Sequence, residues 1–383
     1  MVIFVNRLYI FLVCFFIGIF NVYAENDVCK ERHCVAVVDA GSSGSRLHIF
    51  AFDVDSDNSP IKINEIWSKK IKPGFATVDL KQDNINSYLD NLFLDSPEKN
   101  IPVYFYATAG MRLLSNEKQQ LYYQALARWF KNQNDWQLIE AKTITGSDEG
   151  IYGWLSVNYQ LGSFNSDANS FVNVMDIGGA SVQVTFPVDD IANIAPEDLK
   201  FIDLYGKHIN LFAKSFLGLG QTLITQQFIN EEYCFADGYK LPNGLYAKGD
   251  AISCEQEVAK YIVNVHEVNK IVQPALLKNF GTWYVIGGAA ALADEKLFSF
   301  DERIFTSEHL LQQGNDKICH QSWQDLTSKY PSNDYLYGYC LFPSYYYALF
   351  VDGYGIDKNT PINVMLADKS ADWTLGVVLQ RYY

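Results

Sequence analysis

The chain has 383 residues, 49% of them hydrophobic and 15% aromatic, which is enough apolar material for two folded cores rather than one. Its 44 acidic side chains outnumber 30 basic ones, and the formal net charge of -14 excludes a nucleic-acid binder that neutralises phosphates with a basic face. Any anionic substrate must be held locally, by backbone amides and a metal ion.

At the N-terminus, Arg7 precedes the apolar run LYIFLVCFFIGIF and the segment VYA ending at Ala24. This reads as a secretory signal peptide over residues 1–24, with the mature protein secreted or periplasmic. No later run reaches ~18 unbroken apolar residues, so no membrane attachment is expected after cleavage. Cys14 lies in the leader, and Cys29, Cys34, Cys234, Cys254, Cys319 and Cys340 remain. An even count behind a leader points to disulfides. Short loops close at the least entropic cost, which favours Cys29–Cys34, Cys234–Cys254 and Cys319–Cys340. No Asn stands two residues before Ser or Thr, so there is no glycosylation sequon, which favours a bacterial secretory route.

Further along, VAVVDAGSSGSRLHIF (35–50) is an apolar strand, an Asp, a tight Gly/Ser turn and a second strand. A hairpin over 35–54 follows. IPVYFYATAGMRLL (101–114) predicts a strand ending in a Thr108-Ala109-Gly110 turn, and 115–133 predicts a helix with Leu121, Ala125 and Phe130 on one face. GSDEGIYGWLSVNYQL (146–161) predicts a turn and then a helix from near Asp148. The polar stretch 161–170 reads as a domain boundary. VMDIGGASVQVTF (174–186) repeats the Asp-Gly hairpin device within a second hairpin over 171–188. HINLFAKSFLGLGQTLITQQFI (208–229) predicts a long helical region, and GTWYVIGGAAAL (281–292) a strand, a glycine turn and a small-residue helix. Strands alternating with helices argue an α/β fold.

The duplicated turn carries the chemistry. Glycines permit close backbone approach, and consecutive N–H groups line a nest suited to anionic oxygens. Ser42, Ser43, Ser45 and Ser181 add hydroxyls. Asp39 and Asp176, at the two strand ends, suit a hydrated divalent cation rather than phosphate itself. Two such loops facing each other would clamp a polyphosphate without a basic surface. Ser181 and Gln183 sit two apart on a strand, so they share a face and could grip one water.

These loops resemble the paired phosphate loops of the actin, Hsp70 and sugar-kinase superfamily. More narrowly, VVDAGSSGSR, YATAGMRLL, SDEGIYGWLSVNY, MDIGGASVQ and CLFPSYYYALFVDGYG, in that order, resemble the ecto-nucleoside triphosphate diphosphohydrolases, the apyrases. The resemblance implies two actin-like (ribonuclease H-like) lobes with the site between them: lobe I over 25–160, completed by 361–383, and lobe II over 161–360. It implies metal-dependent hydrolysis of nucleoside tri- and diphosphates by a monomer, with Ca²⁺ or Mg²⁺ as cofactor. Glu149 would be the general base, with Asp148 the better helix cap. Ser181 and Gln183 would position the water, and Thr108 would bond the terminal phosphate or the metal's water shell. Ser42, Ser43, Gly44, Ser45, Arg46, Gly178, Gly179, Ala180 and Ser181 would line the phosphates, with Asp39 and Asp176 ordering waters on the cation. Tyr345 and Tyr346 would stack the base, with Trp373 a weaker candidate. Trp154 and Asn158, four apart after the base, read as supports or core packing.

An exopolyphosphatase or guanosine pentaphosphate phosphatase shares similar Asp-Gly loops, but the leader, the cysteines and EGIYGWLSVNY set this chain apart. A secreted nucleotide-binding protein without turnover is the other alternative, against which the full Glu149, Ser181 and Gln183 set speaks.

Overall fold

The computed structural model describes residues 28–165, 171–277, 279, 281–293, 295, 297–300, 303–365 and 372–383. The proposed leader lies outside them, as does the second half of the polar 161–170 stretch. The first half of the chain runs α1 (Val28–Glu31), β1 (His33–Ala40), β2 (Ser45–Val54), β3 (Pro60–Ile71), α2 (Gln82–Phe93), β4 (Pro102–Ala107), α3 (Ala109–Arg112), α4 (Asn116–Asn132), β5 (Gln137–Thr143) and α5 (Gly146–Gln160). The second half begins with β6 (Asn173–Ile177), β7 (Ser181–Pro187), β8 (Leu199–Leu204), β9 (Lys207–Leu217), α6 (Gln221–Gln227), α7 (Ala251–Asn264) and α8 (Val268–Leu276). It continues with β10 (Trp283–Gly287), α9 (Gly288–Ala293), β11 (Ile304–Phe305), α10 (Ser307–Gly314), α11 (Trp323–Lys329), α12 (Leu341–Tyr347), β12 (Ile362–Val364) and α13 (Thr374–Tyr382). Among the described residues no helix is long and apolar enough to cross a membrane.

Two mixed sheets form, in the orders β3-β2-β1-β4-β5 and β11-β12-β10-β6-β7-β9-β8. Each contains the same unit: an antiparallel meander (β1-β2-β3, β6-β7-β9) whose first strand pairs in parallel with a later one (β4, β10) and so with the next (β5, β12). The duplication seen in the Asp-Gly turns therefore extends to whole half-domains, and the α/β fold of two related lobes is the observed one.

Three apolar cores follow. One lies between the first sheet and α2 and α4, and a second fills the outer face of the second sheet. A third joins Val35, Val37 and Phe50 of the first sheet to Val174, Leu211 and Ala213 of the second. Helix α5 packs on β6, β7 and β9 and against α13, which in turn reaches β1, β2 and β3. Residues 149–158 of α5 are all buried, as a helix covered on every side must be. The C-terminal segment is divided between the lobes: β12 belongs to the second sheet, while α13 lies on the first.

One expected element is different. Residues 207–217 form strand β9, not a helix, and only Gln221–Gln227 is helical. Ile209, Phe212, Ala213 and Phe216 mimic a helical period because β9 is buried on both faces. Ile209, Leu211 and Ala213 enter the interlobe core while Phe212 and Phe216 enter the outer one, and two-sided burial erases the alternation that marks a strand.

All three expected disulfides are present: Cys29–Cys34, Cys234–Cys254 and Cys319–Cys340, spanning 5, 20 and 21 residues. By chain entropy the two longer loops contribute about 3 kcal/mol each and the short one about 2. Thiol titration of the denatured, unreduced chain lacking residues 1–24 should find no free sulfhydryl, and reduction should lower Tm; six titratable thiols would contradict this.

Candidate active site

Asp39 and Asp176 are each the penultimate residue of their strand, β1 and β6. These are the central strands, and parallel neighbours β4 and β10 run beside them, so the site lies at the carboxyl ends of the parallel strands. The turns that follow, Gly41–Gly44 and Gly178–Ala180, face each other across the cleft. A Cβ on Gly179 would stand 2.6 Å from Ser42 Oγ.

Each turn is also backed closely. A Cβ on Gly74 would meet the carbonyl oxygens of Ser42 and Gly41 at 2.3 and 2.6 Å, and one on Gly220 would meet Ala180 N at 2.3 Å. Neither glycine has a positive φ, so the requirement is for space alone. The carbonyls of the second turn are occupied from behind, by Gln221 N to Gly178 O at 2.9 Å and Thr222 N to Gly179 O at 2.8 Å.

Helix α5 delivers Glu149. Thr145 caps the helix in a capping box: its Oγ1 accepts from Asp148 N at 3.1 Å, and Asp148 Oδ2 accepts from Thr145 N at 3.3 Å. The cap is thus Thr145 and not the expected Asp148, which is occupied at the third helical position, and Glu149 points into the cleft. Gln183 Nε2 donates to Glu149 Oε2 at 3.1 Å, to Ser181 Oγ at 2.7 Å and to Ser215 Oγ at 3.1 Å. Gln183 Oε1 is buried with no partner, an acceptor left for a ligand or water.

Arg112 lies within YATAGMRLL, where the sequence pattern assigns it no role. The structure puts its Nη2 2.6 Å from Glu149 Oε2 and 2.9 Å from Ser181 Oγ, so it ties α3 of one lobe to α5 and β7. The signal was there: a basic side chain two residues after a glycine turn at a strand end. Thr108 is buried at the N-cap of α3, and its N–H donates to Ala40 O at 3.2 Å.

Several of the expected residues are taken up by contacts within the protein. Ser45 is enclosed in lobe I, where its hydroxyl accepts from Tyr88 Oη at 2.8 Å. Tyr345 and Tyr346 have no exposed ring face; their hydroxyls donate to Leu219 O at 2.5 Å and Gln221 Oε1 at 3.1 Å. Closed into the core of lobe II, they brace the turn behind Gly178 and cannot stack a base there. Trp373 is buried as well, stacked on Tyr152 with centroids 6.2 Å apart. Trp154 Nε1 and Asn158 Nδ2 both donate to Val172 O, and Asn158 Oδ1 accepts from Val172 N, which makes them internal braces of α5. Arg46 lies beside Asp372, Nη1 to Oδ2 4.0 Å.

The electrostatics are dominated by crowded acids. Burial, then the charges of Asp372 and Glu149, raise Asp39 to about 7, and Asp39 Oδ1 has no partner. Burial, with Glu149 and Asp39, raises Asp176 well above the usual carboxylate range. Burial also raises Glu149, against the lowering effect of Arg112.

Two predictions follow from this geometry. Gly74→Ala and Gly220→Ala press a methyl into loop backbone; since a ~1 Å misplacement of a reacting group can cost on the order of 100-fold, both variants should lose most turnover while keeping native circular dichroism. Removing the guanidinium in Arg112→Met takes away a charge that holds Glu149 down, so the acid limb of kcat/KM should move to higher pH. A base works only when ionised, and a limb that moved down would contradict the assignment.

The sequence profile of the GDA1/CD39 (nucleoside phosphatase) family matches residues 26–382. The chain is 27% identical over 414 aligned positions to ectonucleoside triphosphate diphosphohydrolase 1 of Rattus norvegicus, covering 90% of this chain and 80% of that protein. Among solved structures it resembles a nucleoside triphosphate hydrolase from Neospora caninum, with a TM-score of 0.64, 15% identity and 92% and 94% of the two chains covered. It also resembles the Ppx/GppA family member of Aquifex aeolicus, with a TM-score of 0.54, 15% identity and 91% and 97% covered. At that identity the two structures speak for the fold alone. With the family matched along nearly its whole length, the chain belongs to the GDA1/CD39 nucleoside phosphatases.

Proposed function

We propose that the protein hydrolyses nucleoside tri- and diphosphates to the monophosphate and inorganic phosphate, by direct attack of a water on the terminal phosphate. The observation that carries the mechanism is the contact of Gln183 with both Glu149 and Ser181, beside an unpartnered Gln183 Oε1. Glu149 takes the proton as general base, its raised pKa suiting that task. Gln183 Oε1 and Ser181 Oγ orient the water. Arg112 keeps Glu149 in place and puts positive charge beside the phosphoryl group, where negative charge gathers during transfer. The two Gly/Ser turns hold the phosphate chain through backbone amides and through the hydroxyls of Ser42 and Ser43.

The residues present fit a divalent cation. Asp39 carries an unpartnered buried oxygen, Glu149 raises both Asp39 and Asp176, and Asp39 raises Asp176, a crowding of negative charge that a bound cation would relieve. Among the described residues no three His, Cys, Asp or Glu side chains group closely enough to ligate an ion directly, so Asp39 and Asp176 would hold it through water. Bound Ca²⁺ or Mg²⁺ would neutralise phosphate charge.

With Tyr345, Tyr346 and Trp373 enclosed, the base requires another platform. Tyr335 is 51% exposed, and Lys72 Nζ, one residue past the β3 end that backs Gly44, lies 5.8 Å from its ring centroid. A base against this ring would sit at the mouth of the cleft, with stacking that tolerates any base. The disulfides and the leader-like N-terminus support a secreted or periplasmic setting.

Phosphate release from nucleoside tri- and diphosphates, measured with direct nucleotide binding, tests the reading. Excess EDTA should abolish turnover. Glu149→Gln should lose ~10²–10⁴-fold in kcat with affinity nearly unchanged. Gln183→Ala should lose less, and the double variant should fall short of the product because both residues act on one water. Full turnover in EDTA, or a Glu149→Gln variant that lost binding as severely as turnover, would overturn it.

A further inference from the structure

One partner of Gln183 lies outside the two Gly/Ser turns and outside α5. Ser215 of β9 is directly opposite Gln183 of β7 in the second sheet, so both side chains leave the same face. There Gln183 Nε2 donates to Ser215 Oγ at 3.1 Å. The hydroxyl stands in space that a glycine leaves open at the first residue of α5: a Cβ on Gly146 would lie 2.3 Å from Ser215 Oγ. The hydrogen bond that ties the start of α5 to β9 is made by a neighbour, Ser147 Oγ donating to Ala213 O at 3.2 Å. Ser215 is therefore directed at the glutamine.

A glutamine amide has two hydrogens on Nε2 and two lone pairs on Oε1, and a half-turn of the group exchanges them. With Oε1 toward the water, the water gives one hydrogen to Gln183 and one to Glu149 and keeps a lone pair for phosphorus. With Nε2 there instead, the amide donates to that lone pair and competes with the attack. In the structure Nε2 shares its two hydrogens among Glu149 Oε2 at 3.1 Å, Ser181 Oγ at 2.7 Å and Ser215 Oγ, and Oε1 has no partner. Two of these acceptors are themselves engaged in the reaction. Once Glu149 has taken the proton, its carboxyl can donate to Oε1 as readily as it accepts from Nε2, so it no longer favours either orientation. Ser181 Oγ is shared with Arg112 Nη2 at 2.9 Å and with the water. Ser215 has no part in the proton transfer, and its hydroxyl is the same acceptor before and after it.

We propose that Ser215 is a positioning residue for the hydrolysis: it accepts from Gln183 Nε2 throughout turnover and so keeps Gln183 Oε1 turned to the attacking water. This deepens the phosphohydrolase reading above and rests on it. The effect of Ser215 passes entirely through Gln183, which separates it from a residue that only packs α5 on the sheet.

The test is a double-mutant cycle on the whole mature chain, with phosphate release from ATP measured beside binding of its β,γ-imido analogue, which is not hydrolysed. Ser215→Ala should lower kcat about threefold to tenfold, the worth of one neutral hydrogen bond, with affinity for the analogue unchanged. In a Gln183→Ala background the same substitution should cost less than about twofold, because the amide it orients is gone. Ser215→Cys, close in volume and a weaker acceptor, should fall between Ser215→Ala and wild type, and it takes the place of Ser215→Ala in the cycle if that variant does not fold. An equal loss in both backgrounds would make Ser215 a packing residue between β9 and α5 and overturn the proposal. A Ser215→Ala variant with wild-type kcat, or one whose loss lies in analogue binding, would overturn it as well. A wild type that releases no phosphate from ATP would overturn the phosphohydrolase reading itself, and this assignment with it.

Discussion

The structure depends on one unfavourable arrangement: four carboxylates, Asp39, Glu149, Asp176 and Asp372, brought from four distant positions into a buried region between two lobes. Asp372 and Glu149 raise Asp39, those two and Asp39 raise Asp176, and burial strengthens each effect. Left alone this would push the lobes apart. Arg112 on one side and His48 with Arg46 on the other compensate part of the charge. The remainder is an excess of negative charge that the proposed cation would offset, and such a cation would let a chain of net charge -14 handle a polyanion.

What keeps these acids together is apolar. Helices α5 and α13 lie between the sheets and share a core with both, so the lobes are joined by buried surface and not by a linker alone. The helices cross closely: a Cβ on Gly376 would lie 2.1 Å from Tyr152 O. Around that crossing Trp373 stacks on Tyr152 and Tyr152 on Tyr106, while Arg381 donates to Tyr106 Oη and Glu140. Glu149 at one end of α5 and Asp372 at the start of α13 are thereby positioned by the same packing. Glu149 and Asp372 therefore share one packed support.

The second lobe gives its turn a comparable foundation. The tyrosines of α12, expected to form a base platform, bond Leu219 and Gln221, and the amides of Gln221 and Thr222 occupy the carbonyls of Gly178 and Gly179. An aromatic run in a Tyr-rich chain reads alike as a binding face or as core, because both need large apolar rings with a polar tip.

The sequence by itself determined the two Asp-Gly hairpins, the helix that carries Glu149 in its first turn, the grouping of Ser181 with Gln183 on one strand face, and the disulfide pairs. All of these are set by short-range geometry: strand period, turn chemistry, helix capping and loop length. Only the tertiary structure decided that 207–217 is a strand, because burial on both faces removed its alternation. Only it decided that Arg112 reaches Glu149, that Ser45 and Tyr345 face inward, and that Asp372 meets His48 across more than 300 residues of chain. Those contacts join elements far apart in sequence, and no local pattern specifies which distant side chain will lie within a hydrogen bond's length.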